Sequence, residues 1–157
     1  MKVLILYDSV FGNTEKVAFA MRDALASQAA VEARRAADVT AAQCSDCDLL
    51  LVGSPTRGFN PTKAVKELLR SLPTDALQNS TAAAFDTRID PAAIKSRWLG
   101  KMVTAFGWAA PKIDKQLRKK GANTKLSPEG FIVTDTEGPL QAGELERAVA
   151  WAIKTIA

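Results

Sequence analysis

The sequence contains no histidine. That excludes histidine general bases, Ser–His and Cys–His nucleophile pairs, and most zinc sites. Two cysteines, Cys44 and Cys47, are too few for a disulfide framework. Tyrosine occurs once, at Tyr7. No apolar run approaches membrane length, so no membrane insertion is expected. Met1-Lys2 leads straight into a β-rich run without the small-residue cleavage site of a signal peptide, which points to a cytoplasmic protein. Neither sign of charge dominates: 21 basic and 17 acidic residues leave a net charge of +4, too mild to specify a partner.

What is present reads as one ordinary domain over residues 1–157, large enough to bury a core. Lys2 to Tyr7 (KVLILY) and Asp48 to Gly53 (DLLLVG) are nearly continuous apolar runs, the pattern of strands buried on both faces. Val31–Arg35 reads as a weak edge strand, Thr81–Phe85 as a strand poor in propensity, and Phe131–Thr134 as the last strand. Between them, Val17, Met21 and Leu25 make one helical stripe, and Val65, Leu68, Leu69 and Leu72 another between Pro61 and Pro73. Pro111 to Lys120 reads as helix ended by Gly121. Gln141 to Ile156 reads as the last helix, with Leu145, Val149, Ile153 and Ile156 on its buried face. The boundaries of Trp98–Trp108 stay open. Strands alternating with helices predict an α/β fold, a parallel sheet with helices on both faces. Ligands of such sheets bind beyond the carboxyl ends of the strands, where strand order reverses. The segments to inspect are therefore Asp8–Thr14, Ser54–Asn60 and Asp86–Asp90.

The first of these, Ser9-Val10-Phe11-Gly12-Asn13-Thr14, suits an anion. Gly12 lets backbone amides approach, Ser9, Asn13 and Thr14 add side-chain donors, and a helix N-terminus follows. A tight turn with an asparagine cap is the plainer alternative. The loop lacks lysine and arginine, and the chain has neither G-K-[ST] nor G-x-G-x-x-G. A receiver domain would end its third strand in aspartate, where Gly53-Ser54 stands.

With Ser9–Thr14, Gly53-Ser54-Pro55-Thr56 and the segment E-G-P-L-Q-A-G-E-L-E-R (Glu137 to Arg147), the chain resembles the flavodoxin family along its whole length. The resemblance implies a three-layer α/β/α sandwich around a five-stranded sheet of order 2-1-3-4-5, with FMN at the switch between strands one and three. It implies that the side chains of Ser9, Asn13 and Thr14 and the amides of Val10, Phe11, Gly12, Asn13 and Thr14 hold the phosphate. Pro55, Thr56, Arg57, Gly58 and Phe59, with Asp86, Thr87 and Arg88, would then flank the ring. The family pattern T-x-T-G-x-T has a hydroxyl residue where Phe11 stands. Many electron-carrying members sandwich the ring between tryptophan and tyrosine; here the second loop offers Phe59, the third has no tyrosine, and Trp98 is the candidate to fold back. Those members are also acidic, and this chain is basic.

Flavin N5 gains a hydrogen on one-electron reduction, and a peptide carbonyl that turns to accept it stabilises that state. Gly58 permits such a turn; alternatively Gly58 and Pro61 only shape a helix entry. Arg57 and Arg88 either place positive charge beside the ring or are solvated. Cys44-x-x-Cys47 precedes the third strand, far from the flavin end, and reads more readily as structural than as a redox pair. Lys112, Lys115, Arg118, Lys119 and Lys120 crowd one helix: a solvated face, or a dock for an acidic redox partner protein. Nucleic acid is not expected, because no aromatic platform is interleaved with these charges. Trp108 and Trp151 read as packing residues. No catalytic side chain and no metal site is assigned. The function these features imply is FMN-based electron transfer in the cytoplasm. The alternatives are an FMN-dependent NAD(P)H or quinone reductase and a flavin-free binding module.

Overall fold

The apolar runs become strands whose residues divide alternately between two covered faces. A computed structural model describes residues 1–157. Its strands are β1 (Lys2–Tyr7), β2 (Ala30–Arg35), β3 (Leu49–Pro55), β4 (Thr81–Ile89) and β5 (Glu129–Val133). All pair in parallel, in the order β2-β1-β3-β4-β5 that the resemblance implies. The helices are α1 (Asn13–Leu25), α2 (Ala41–Ser45), α3 (Lys63–Ser71), α4 (Arg97–Phe106), α5 (Ala109–Lys119) and α6 (Glu144–Ile156). No helix is long and apolar enough to cross a membrane.

Odd and even residues of each strand build two cores. Val3, Ile5, Leu49, Leu51, Ala83 and Phe85 face α1 and α6, where Val17, Met21, Leu25 and Trp151 meet them. Leu4, Leu6, Leu50, Val52, Ala82 and Ala84 face the other way, onto Val65, Leu69, Ile113 and Leu117 of α3 and α5. The alanines of β4, unfavourable by propensity, have a packing reason. They lie under Ala109 and Ala110 of α5, so helix and strand approach closely.

Several boundaries differ from the sequence reading. Of the segment Asp86–Asp90 only Asp90 is loop: β4 runs to Ile89, because Phe85–Ile89 pair with Glu129–Val133 of β5. Helix α3 begins at Lys63, two residues after Pro61, and ends before Leu72, whose extended backbone is what Pro73 requires. The open Trp98–Trp108 stretch is α4, a Gly107 break and the start of α5. A short α2, with Thr40 as a capping box, links β2 to β3. The predicted buried face of α6 is corrected. Leu145 and Ile153 are exposed, while Glu144, Ala148, Trp151 and Ala152 are buried. Small alanines bring α6 against α1, and Trp151 packs edge-on to Phe85 and Phe131.

Candidate functional site

The carboxyl ends of β1, β3 and β4 meet at one end of the sheet, and the turn after β1 is shaped by Gly12. Its φ of 87° is a left-handed conformation that favours glycine. The Ser9 Oγ accepts the Gly12 N–H at 3.0 Å and the Glu15 N–H at 3.4 Å, which curls the loop onto the start of α1. Four neighbouring backbone N–H groups, those of Val10, Phe11, Asn13 and Thr14, have no hydrogen-bond partner in the chain. Unpaired amides at a helix N-terminus, with the helix dipole behind them, form a ready cradle for an anion.

The side chains around this cradle are tied to three other elements. Thr14 Oγ1 lies 2.8 Å from Thr87 Oγ1 in a buried contact that joins the loop to β4. Asn13 Nδ2 donates to the Glu137 carbonyl at 3.0 Å. A Cβ at Gly138 would stand 2.6 Å from the Asn13 amide, so the turn after β5 needs glycine there. The third tie is Arg35, at the end of β2. Its guanidinium donates to the Ser9 carbonyl at 3.1 Å and pairs with Glu15 at 3.0 Å and Asp8 at 3.5 Å. Tyr7 donates to the same Glu15 carboxylate at 2.8 Å, and burial together with that carboxylate pushes the phenol pKa up. The Arg35 charge thereby offsets two carboxylates beside the anion cradle. Sequence reasoning passed over Arg35; the signal was its register opposite Tyr7, which places a strand-end arginine beside the loop.

A small cavity of about 80 Å³ collects most of the predicted residues. Ser9, Val10, Phe11, Asn13 and Thr14 line it from the first loop, Pro55, Thr56 and Arg57 from the second, and Thr87 and Arg88 from β4. Ile89, Val133 and Thr136 complete it and were not foreseen. Gly58 and Phe59, both with positive φ (51° and 65°), lie beyond it. They border a larger, mainly apolar cleft of about 520 Å³, which also contains Ile94, Leu99 and Trp108. The two spaces share Thr56, Arg88 and Ile89. Trp98, expected to fold back, instead stands 70% exposed on α4. Trp108 occupies the cleft in its place, under the Arg88 guanidinium at 4.8 Å.

The charges differ from the sequence picture. Asp86 is fully buried and turned from both spaces, its carboxylate bound by Arg88 at 2.6 and 2.7 Å and by the Ala110 N–H at 2.7 Å. Burial pushes its pKa up, against the pull of Arg88. Arg88 is therefore a neutralised clamp that, with Asp86, anchors the start of α5. Thr56 Oγ1 helps by accepting the Ala109 N–H at 3.0 Å. Arg57 has no such partner and lies over the Phe11 ring at 5.4 Å. Phe11, 43% exposed, is thus a platform for the one free arginine of the pair. Far from this end, Cys44 and Cys47 are buried thiols pushed up by burial to about 11 and about 12, which leaves little thiolate.

Strand order, the switch-point cradle and the second loop converge with the comparison to known proteins, in which the family model for flavodoxins matches residues 5–151. The chain belongs to the flavodoxin family. Members of the family bind a flavin, usually FMN. Among solved structures, this flavodoxin-family chain is similar to flavodoxin 2 of Bacillus cereus, at 20% identity and TM-score 0.77, covering 99% of this chain and 98% of that one. Flavodoxin 1 of the same organism gives 16% identity and TM-score 0.75, over 99% and 97% of the two chains. Rubredoxin oxygen:oxidoreductase from Desulfovibrio gigas gives 20% and 0.73, over 97% of this chain but 34% of the longer enzyme. At these identities the likeness is one of fold. No curated protein sequence gives a significant match.

Proposed function

We propose that this protein binds FMN non-covalently and carries electrons between redox partner proteins in the cytoplasm. The observation that carries this reading is the set of four unpartnered amides, Val10, Phe11, Asn13 and Thr14, at a switch-point loop without a cation. A lysine helps where phosphoryl charge must move. A phosphate that only anchors a cofactor is held well by neutral amides and a helix end. The Ser9 hydroxyl keeps its own proton free to donate, since its observed contacts use the oxygen as acceptor.

From that anchor, Thr56, Arg88 and Ile89 lead toward the apolar cleft, where Gly58, Phe59 and Trp108 offer ring-facing surface. Bound FMN supplies reversible one- and two-electron chemistry; the chain orients it and tunes its potentials. The peptide at Gly58 borders the cleft with its carbonyl accepting from Asn60 Nδ2 at 2.8 Å, and would have to turn from that bond to meet the ring, while Arg57 supplies positive charge that favours the anionic, fully reduced cofactor. The basic Lys112–Lys120 region offers a dock for acidic redox partners.

The apolar cleft favours a second reading, an FMN-dependent quinone or nicotinamide reductase. Its wall of Ile94 and, from α4, Leu99 and Val103 belongs to neither core, so a flat substrate has access beside the ring. Steady-state assays of the FMN-loaded protein separate the two. The carrier reading expects reversible reduction and re-oxidation by a redox protein with no NADPH- or quinone-linked turnover. Sustained turnover with either small molecule contradicts it.

A further inference from the structure

Five cations line one pocket between α3 and α5: Lys66 and Arg70 from the first helix, and Lys112, Lys115 and Lys119 from the second. The spacings i, i+4 and i, i+3, i+7 turn one stripe of each helix toward the other. The pocket encloses about 240 Å³, and Asn60 closes the end nearest the second loop. No aspartate or glutamate lines it. The acidic residues of these helices are engaged elsewhere, Glu67 with Lys63 and Asp114 with Arg118. None of the five cations forms an ion pair.

Like charges held together without a counter-charge repel. Lys112 is half-buried, held by the Phe59 carbonyl and by Asn60 Oδ1 at 3.3 Å, and burial together with the nearby Lys66 lowers its pKa. These five side chains line one concavity rather than a convex face. An anion there would relieve the repulsion and engage several charge-assisted hydrogen bonds at once. Ammonium groups are well suited to phosphate oxygens.

We propose that the α3–α5 pocket binds a small phosphorylated anion of the diphosphate or triphosphate class through Lys66, Arg70, Lys115 and Lys119. The site stands apart from the proposed flavin cavity, sharing no lining residue with it, and does not depend on flavin binding.

The test is calorimetric titration of the full chain with pyrophosphate and tripolyphosphate at constant ionic strength, with chloride and sulfate as comparison anions. Saturable one-to-one binding, tighter for pyrophosphate than for sulfate, is expected. Lys66→Gln, Lys115→Gln and Lys119→Gln should each weaken it by up to about fivefold, and the triple substitution by more than about tenfold. Lys154→Gln, on α6 across the sheet, should leave it unchanged. Matching circular dichroism spectra will confirm that these surface variants are folded. Absence of saturable binding, full retention in the triple variant, or binding of single-stranded DNA without binding of pyrophosphate would each overturn the proposal.

Discussion

Phe11 interrupts a hydroxyl-rich pattern, and at the residue scale its place explains it. The ring carries Arg57, while the backbone amide that the loop needs is untouched by the change of side chain. Gly12 is the residue that the cradle cannot replace without strain. Nothing lies within 4 Å of a Cβ there, so Gly12→Ala is opposed only by its φ of 87°. It should lower stability by about 1 kcal/mol and weaken FMN binding in a fluorescence titration. Arg57 lies exposed at the mouth of the cavity with no carboxylate partner. Arg57→Glu should shift the second one-electron potential of bound FMN in the negative direction, by an amount on the order of 1 kcal/mol per charge. Spectroelectrochemical titration of wild type and variant reads this directly, and an unshifted or positive value would contradict it. The types and spacing of Ser9–Thr14 were legible in the sequence. The brace from Arg35 was not, because it depends on which strand lies beside β1.

The clearest lesson at the scale of elements is Asp86. As a residue of a presumed loop it looked available to a ligand, yet β4 continues through it and carries its side chain inward to Arg88 and the start of α5. Nothing in a single sequence distinguishes a strand that stops at Phe85 from one extended by pairing with β5. The pair yields a pH prediction. A carboxyl whose folded pKa is raised stabilises the fold most when protonated, and that contribution is lost as pH rises through the folded value. Arg88→Met removes the group that opposes the rise. The variant should therefore lose little stability near the ordinary carboxylate range and about 3–5 kcal/mol at neutral pH, where a buried charge is left unpaired. Urea unfolding at several pH values checks it, and a loss independent of pH would contradict it. Helix α6 is a similar case. Its larger apolar residues suggested one face, but the alanine face packs on α1 because close approach matters more there than side-chain size. Helix α4 repeats its apolar residues at helical spacing, from Trp98 and Leu99 through Met102 and Val103 to Phe106, but buries none of them, so the sequence carries no sign of which neighbour it faces.

At the scale of the whole molecule, alternation of buried strands and amphipathic helices made the parallel sheet legible, and strand order then set the end at which the loops meet. Charge was less informative as a total than as an arrangement. Around the β1–α1 loop arginines are paired or seated on rings, whereas the α3–α5 pocket gathers unpaired cations. If the β1–α1 loop anchors FMN, it does so by the phosphate. The most direct test is a paired titration of flavin-free protein with FMN and with riboflavin, which lacks only that phosphate. One-to-one FMN binding with quenched flavin fluorescence is expected, with riboflavin binding weaker by at least about a hundredfold, as loss of several hydrogen bonds to a charged group implies. Equal affinity for the two flavins, or no uptake of FMN, would contradict it.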